Sequence, residues 1–219
     1  MSGVWKCTDE AGLERALMAV TGSVQRGNLI VMPTDTVYGI GADAFNNEAV
    51  AAALRAKGRG PDMPMPVLVG SWDTAKGLVA EYTEDLDALI RAFWPGALSI
   101  VVPQAPSLPW NLGDTRGTVM LRMPNHPVAI AVLRAVGPMA VSSANLTGHT
   151  PPTTAADARQ QLGTSVDMYL DGGESAVGTP SSIIDLSGPQ PRLLREAALS
   201  AEQIAPVLAT TPEILRGES

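Results

Sequence analysis

The sequence has few of the residues that build disulfide bridges or metal sites. Of its 219 residues, one is a cysteine, Cys7, and two are histidines, His126 and His149. A single cysteine excludes an intrachain disulfide and a CxxC-type zinc site, and two histidines disfavour a histidine-rich metal site. We therefore expect a chain that works in a reducing compartment and holds no metal with its own side chains.

Long apolar runs and an excess of positive charge are also missing. The N-terminal MSGVWKCTDE has no apolar signal core, and the apolar run VAIAVL ends at Arg134. We expect a soluble, cytoplasmic protein that does not associate with membranes. The formal net charge of −7 argues against a broad nucleic-acid-binding surface, but it allows a local basic pocket.

Several familiar catalytic motifs are absent from the sequence. It contains no GxxxxGK[ST] phosphate loop, no GxGxxG, no HExxH and no GxSxG nucleophile elbow. A nucleotide bound by this chain therefore needs a different cradle.

The apolar residues that are present predict an α/β fold. Hydrophobic residues make up 45% of the chain and aromatic residues only 4%, so the core is aliphatic. Spacing and capping residues predict helices over 9–25 (capped by Thr8), 47–57, 71–80, 83–94, 127–136, 153–162 and 200–209. Strands are predicted over 28–34, 66–70, 97–103, 118–124, 139–143, 166–170, 181–186 and 192–195.

Strands and helices interleave, but some successive strands have no helix between them. This order favours a mixed sheet over a fully parallel one. We expect a single domain over residues 1–209, followed by a loose tail over 210–219.

Four polar segments follow or interrupt apolar elements, where ligands of α/β folds commonly bind. They are 33–39 (PTDTVYG), 56–61 (AKGRGP), 141–148 (VSSANLTG) and the pair 171–173 and 178–182. Their hydroxyls, cations and glycines are suited to anions and small polar ligands. The same residue types also cap helices and form turns, so both interpretations stay open.

Two arginines stand at unusual places in predicted strands. Arg122 interrupts the apolar segment VMLRM, and Arg195 ends PRLLR. A buried guanidinium needs a partner. For Arg122 that partner is either a bound carboxylate or an internal Asp or Glu.

In this order along the chain, the segments resemble the YrdC-like family of threonylcarbamoyl-AMP synthases. The resemblance covers roughly 10–208 and is carried by PTDTVYGIGADA, AKGR, FWPGALSIVV, TVMLRMPNHP, SSANLTG and GTPSSIIDL. The hallmark of that family is a Lys-x-Arg followed by a Ser-x-Asn. Here these are Lys57, Arg59, Ser143 and Asn145.

The resemblance implies a single-domain, twisted mixed β-sheet with flanking helices around a concave, positively charged cleft. It implies that L-threonine, bicarbonate and Mg²⁺-bound ATP react to give threonylcarbamoyl-AMP, pyrophosphate and water. That product feeds the machinery that transfers the threonylcarbamoyl group to tRNA, next to the anticodon; direct tRNA binding by this chain is left open. By matching positions, the expected threonine-binding residues are Thr36, Tyr38, Arg122 and Ser181. The expected ATP-binding residues are Lys57, Arg59, Thr118, Ser143, Asn145 and Arg195, with Lys57 and Arg59 acting on the phosphates in catalysis.

Three positions depart from the pattern of that family. Leu68 stands where members often have a histidine, Met63 stands where they often have Asn or Lys, and Pro151 replaces the serine of a Ser-Pro pair. These departures put some ligand contacts in doubt. Leu68 and Met63 favour the alternative that the chain is a non-synthase protein of the same fold that binds nucleotide or RNA.

Overall fold

The computed structural model describes residues 2–218, which contain ten strands and eight α-helices. The strands are β1 (Gly3–Lys6), β2 (Ile30–Met32), β3 (Gly39–Asp43), β4 (Val67–Leu68), β5 (Leu98–Pro103), β6 (Thr118–Arg122), β7 (Met139–Ser143), β8 (Met168–Asp171), β9 (Ser182–Asp185) and β10 (Arg192–Arg195). The α-helices are α1 (Glu10–Gln25), α2 (Asn47–Ala56), α3 (Trp72–Lys76), α4 (Glu84–Phe93), α5 (Pro127–Val136), α6 (Ala155–Leu162), α7 (Ala201–Ile204) and α8 (Pro212–Arg216). Short 3-10 turns follow at Gly163–Ser165 and Ala205–Leu208.

All ten strands join one sheet in the order β1-β8-β2-β3-β7-β4-β6-β5-β9-β10. The pairs β1/β8, β2/β8, β4/β6 and β5/β9 are parallel, and the other five pairs are antiparallel. The predicted mixed α/β sheet is confirmed.

Side-chain caps fix where most of the predicted helices begin. Thr83 accepts a hydrogen bond from the amide of Leu86, and Ser200 forms the expected capping box with Gln203. The cap predicted for the first helix is wrong. Asp9, not Thr8, caps α1, because its carboxylate accepts the amide of Gly12 at 2.7 Å.

Two strands were not predicted. β1 is a four-residue edge strand that pairs only with β8, and its short, half-exposed pattern gives little periodic signal. β3 contains Gly39 and Gly41, and glycine is a weak strand former. Here glycine is required by close packing: a Cβ on Gly39 would lie 2.6 Å from Cγ1 of Val141 on the neighbouring strand.

The tail predicted over 210–219 is not loose where the structure describes it. Pro212 opens α8, Leu215 is completely buried, and Arg216 binds both carboxylate oxygens of Glu196 at 2.8 and 2.9 Å. The prediction failed because a five-residue helix has almost no periodicity of its own. Ser219 lies outside the described residues.

The two faces of the sheet are covered unequally. One face packs against α2, α4, α6 and the C-terminal helices in a core that includes residues from both halves of the sheet. On the opposite face, α1 and α5 cover β8, β2, β7 and β4, and that cluster contains no residue of β6, β5, β9 or β10. The half of this face formed by β6, β5, β9 and β10 is therefore left without the cover of α1 and α5.

Within residues 2–218, none of the helices combines the length and the apolar character needed to cross a bilayer.

Candidate functional site

A cavity of about 340 Å³ lies where the covered half of the sheet face meets the uncovered half. Leu68 on β4 is in register with Arg122 on β6, so both side chains point into this face. Eight of the ten predicted site residues line the cavity: Thr36, Tyr38, Arg59, Arg122, Ser143, Asn145, Ser181 and Arg195. The fold thus gathers segments that lie up to 159 residues apart in the sequence, from Thr36 to Arg195.

The remaining two predicted residues lie elsewhere. Thr118 lines an adjoining hollow of about 220 Å³, which shares Pro64, Pro66 and Met120 with the cavity. Lys57 is completely buried and does not contribute to the cavity wall.

The cavity wall is positively charged although the chain is acidic. Three arginines line it, at positions 59, 122 and 195, and no Asp or Glu is among the lining residues that the structure describes. The other polar lining groups are hydroxyls and the amide of Asn145. Such a wall is suited to anionic ligands.

Arg122 is held on three sides. Its Nε donates to the carbonyl of Gly96 at 2.8 Å, one Nη donates to the hydroxyl of Thr36 at 2.9 Å, and the other donates to the carboxylate of Asp35 at 2.5 Å. Burial and repulsion from Arg195 lower the pKa of Arg122, and Asp35 opposes this shift. A guanidinium has five N–H donors, so two remain for a ligand.

Thr36 is oriented by its neighbours. Its hydroxyl accepts from Arg122, and it lies 3.0 Å from the hydroxyl of Thr34, which donates onward to the carbonyl of Val37 at 2.7 Å. The Thr36 hydroxyl therefore donates to Thr34 and has one lone pair left for a ligand donor.

Ser181 and Arg195 form the opposite wall of the cavity. The Ser181 hydroxyl lies 2.8 Å from that of Ser99, and Arg195 donates to the Ser181 carbonyl at 2.8 Å and to its hydroxyl at 3.2 Å. Arg195 reaches this place because β10 returns antiparallel to β9. The strand pairing thus places a third cation beside Ser181.

Tyr38 is completely buried and lines the cavity. Its hydroxyl donates to the carbonyl of Gly173 at 2.5 Å and accepts from the amide of Gly172 at 3.3 Å. Burial raises the pKa of Tyr38 to about 12. The ring therefore serves as a neutral wall that ties the loop after β8 to the segment before β3.

Arg59 extends from the end of α2 into the cavity. One of its Nη atoms donates to the hydroxyl of Ser142 at 3.2 Å, while its buried Nε has no partner within the described residues. Burial lowers the pKa of Arg59. Because Arg59 lines the cavity, its guanidinium is placed to meet an anion there.

The Ser-x-Asn loop leaves β7 with the Asn145 amide locked. Its Nδ2 donates to the carbonyls of Leu146 and His149, both at 2.8 Å. Its buried Oδ1 has no partner within residues 2–218. Asn145 therefore brings an unpaired acceptor to the lining of the cavity.

The donor set determines how the site can accommodate Mg²⁺. The described residues contain no group of three or more His, Cys, Asp or Glu that could hold a metal ion. Mg²⁺ often binds mainly through substrate phosphates and water, with few protein oxygens. The residues present therefore fit a Mg²⁺ ion that is held mainly by the phosphates of a bound ligand, and not one held by protein side chains alone.

The three departures from the family pattern have different placements. Leu68 and Pro151 line the cavity, whereas the side chain of Met63 is exposed on the surface. The apolar wall at Leu68 therefore changes the interior of the site, and Met63 does not.

The site residues predicted from the sequence do not include Asp35, Ser99 or Ser142, although Asp35 and Ser142 lie in the polar segments 33–39 and 141–148. Ser99 interrupts the apolar segment ALSIVV just as Arg122 interrupts its own strand, and this signal could have found it. Nothing in the sequence pairs Asp35 with Arg122, which is 87 residues away.

Comparison with known proteins gives relatives of similar and of greater length. A Mycobacterium tuberculosis protein is 58% identical over 99% of this chain and 100% of its own, and carries the name threonylcarbamoyl-AMP synthase in provisional form. The threonylcarbamoyl-AMP synthase of Bacillus subtilis is 36% identical over 92% of this chain and 59% of its own. The crystal structure of Pyrococcus abyssi Sua5 complexed with L-threonine matches with a TM-score of 0.87 at 32% identity. That match covers 96% of this chain and 62% of the Sua5 chain.

A family model also matches most of the chain. The model Sua5_yciO_yrdC, described as "Telomere recombination", matches residues 23–197, which include nearly every element around the cavity. By sequence and by fold, the chain belongs to the Sua5/YciO/YrdC family.

Proposed function

We propose that this chain is a nucleotidyltransferase that makes threonylcarbamoyl-AMP, pyrophosphate and water from L-threonine, bicarbonate and ATP. The observation that best supports the proposal is the set of three arginines that lines one cavity among hydroxyls, of which only Arg122 has an ion-pair partner within the described residues. The names of the relatives point to the same activity.

In this proposal L-threonine lies beside Arg122. The two free N–H groups of Arg122 bind the threonine carboxylate, since paired N–H donors match a carboxylate. Thr36 and Ser181 offer hydroxyls to the threonine ammonium and hydroxyl groups. The Tyr38 ring closes the pocket, and Leu68 contacts the methyl group.

ATP lies along the uncovered sheet face. Arg59 and Arg195 neutralise the phosphates, and Ser143 and Asn145 bind the nucleotide at the end of β7. The adjoining hollow, which contains Thr118, is largely apolar and accepts the nucleoside. Mg²⁺ bound to the triphosphate supplies further positive charge when present.

The chemistry needs no protein nucleophile. The threonine amine adds to the bicarbonate carbon, and loss of water leaves a carbamate. A carbamate oxygen then attacks the α-phosphorus, and the bond from that phosphorus to the bridging oxygen of the β-phosphate breaks, which releases pyrophosphate. The protein positions the reactants, excludes water from the carbamate and stabilises the developing charge.

The product is a reactive mixed anhydride, so an acceptor must take the threonylcarbamoyl group soon after release. The tRNA threonylcarbamoyl-transfer machinery fits this role. The net charge of −7 argues against a broad basic surface for direct tRNA binding. A cytoplasmic location, where that machinery acts, stays a prediction.

Pyrophosphate release tests the proposal. Purified protein is incubated with Mg²⁺-ATP, bicarbonate and L-threonine, and each reactant is omitted in turn. We expect release only when all three are present. ATP binding without threonine-dependent release would reject the synthase and favour a non-synthase nucleotide-binding protein of the same fold.

A further inference from the structure

Lys57 is a basic side chain buried in an unusual position. It ends α2, its exposure is 0%, and it lies outside the cavity wall. Its ammonium donates to the main-chain carbonyls of Ser143 and Asn145. The side chain thus passes beneath the Ser-x-Asn loop and binds its backbone.

The loop and Lys57 also bind each other in the reverse direction. The carbonyl of Lys57 accepts from the amide of Thr147 at 3.0 Å and from its hydroxyl at 2.8 Å. The amide of Ala144, between the two carbonyls that Lys57 binds, donates to the carbonyl of Tyr38 at 2.8 Å. Residues 143–147 are therefore held from α2 at both ends and from Tyr38 in the middle.

This arrangement decides what the loop presents to a ligand. The main-chain carbonyl of Asn145 accepts from Lys57, and its side-chain Nδ2 donates to the carbonyls of Leu146 and His149. Its side-chain Oδ1 has no partner within the described residues. Two of the three ammonium N–H groups are used by these carbonyls, and Lys57 lies outside the cavity wall, so the ammonium would have to leave both carbonyls to reach a phosphate in the cavity. Leaving buried acceptors unpaired is costly.

We propose that Lys57 is a positioning residue: it holds the backbone of Ser143–Asn145 so that the Ser143 and Asn145 side chains meet the nucleotide, and it does not touch the phosphates itself. This inference rests on the proposed nucleotide site. It assigns the two basic residues of the Lys-x-Arg motif different tasks, since only Arg59 lines the cavity.

A mutant cycle on ATP binding separates positioning from direct contact. Binding of Mg²⁺-ATP is measured by calorimetry, without threonine, for Lys57→Met in the wild-type background and in a Ser143→Ala/Asn145→Ala background. We expect Lys57→Met to weaken ATP binding roughly 10-fold in the wild-type background, the size of a lost buried hydrogen bond. In the background without the two loop side chains, it should have almost no further effect.

Two further measurements provide controls. L-Threonine binding should stay within about twofold, a change below a single hydrogen bond, because Lys57 contacts neither Arg122 nor Ser181. Lys76→Met, at an exposed lysine, should change neither affinity. Equal losses of ATP affinity from Lys57→Met in both backgrounds would overturn the proposal, because a direct phosphate contact does not depend on the loop side chains.

Thr147→Val keeps the proposal testable if Lys57→Met does not fold. It removes the hydroxyl bond to the Lys57 carbonyl, and Thr147 is exposed and outside the cavity wall. We expect faster hydrogen exchange of the 144–149 amides in the ligand-free protein and a smaller loss of ATP affinity. Unchanged exchange and affinity would contradict the proposal. These tests need no turnover, so they fail independently of the pyrophosphate assay.

Discussion

The carboxylate of Asp35 and the guanidinium of Arg122 form a buried ion pair at 2.5 Å, with side-chain exposures of 11% and 7%. Asp35 also accepts the amide of Asn125 at 3.0 Å, so the acid is fixed from two sides. The pair balances the charge of Arg122 when the cavity holds no ligand. Arg122 thus has the internal acid that its position in an apolar strand demanded, and it still faces the cavity.

Replacing Arg122 should affect both stability and ligand binding. Removing one partner of a buried pair leaves an uncompensated charge, so Arg122→Gln should lower the free energy of unfolding by about 3–5 kcal/mol. It should also weaken L-threonine binding far more than ATP binding, because the carboxylate loses its paired donors. Chemical denaturation and calorimetry with each ligand measure the two effects.

The double variant Arg122→Gln/Asp35→Asn separates these roles. It removes both charges, so much of the lost stability should return, while threonine binding should not. Recovery of threonine binding in the double variant would show that Arg122 does not bind the substrate carboxylate.

Replacing Arg59 should lower the rate of pyrophosphate release, whereas replacing its neighbour Arg55 should not. Loss of one preorganised contact to developing charge commonly lowers the rate roughly 10²–10³-fold, so we expect this from Arg59→Gln with a folded protein. Arg59→Lys should recover little, because lysine lacks the planar fork. Arg55, in the last turn of α2, is exposed and outside the cavity wall. If both arginines only complement the helix end, Arg55→Gln and Arg59→Gln will behave alike.

Leu68 should contribute to the choice of threonine over serine. It lines the cavity in register with Arg122, so a bound amino acid held at its carboxylate lies against it. A methyl group in an apolar pocket gives about 10–200-fold discrimination, and Leu68→Ala should lose part of this preference. Leu133→Ala removes a buried leucine from the same core cluster away from the cavity and serves as the control. An unchanged threonine-to-serine ratio in Leu68→Ala would remove Leu68 from the specificity pocket.

Lys57 should make stability depend on pH. Burial and the charge of Arg59 lower its pKa from 10.5 to about 7. Between these values the unfolded chain holds more protons than the folded one, so this group adds stability as the pH rises from about 7 towards 10. The neutral amine still has two N–H donors for the two carbonyls. Denaturation of wild-type protein and Lys57→Met across this range should give a difference in stability that grows with pH, and parallel curves would contradict the assigned pKa.

The sequence predicted those parts of the fold that local chemistry determines. The caps at Thr83 and Ser200 act within three residues, so they can be read directly from the sequence. β3 was not predicted because glycine is a weak strand former. Gly39 is required there by its close contact with Val141, a residue about a hundred positions away. α8 was not predicted because its buried Leu215 gains stability from the core and not from helix propensity.

The sequence predicted most of the residues that line the site, but it did not predict which side chains contact one another there. Eight predicted side chains meet in the cavity because their segments end neighbouring strands or flank them. The direction of Lys57 depends on where the loop after β7 crosses the end of α2, and the partner of Arg122 depends on a contact between β6 and the segment after β2. Neither contact can be predicted from the spacing of residues along the chain.

Detection of the adenylate product is the most direct test of the proposed synthase activity. Protein is incubated with Mg²⁺-ATP, L-threonine and bicarbonate carrying labelled carbon, and the products are separated and identified by mass spectrometry. We expect threonylcarbamoyl-AMP that contains the labelled carbon, in an amount matching the pyrophosphate released. Pyrophosphate accompanied only by AMP or by a threonyl adenylate without the label would contradict the proposed synthase activity.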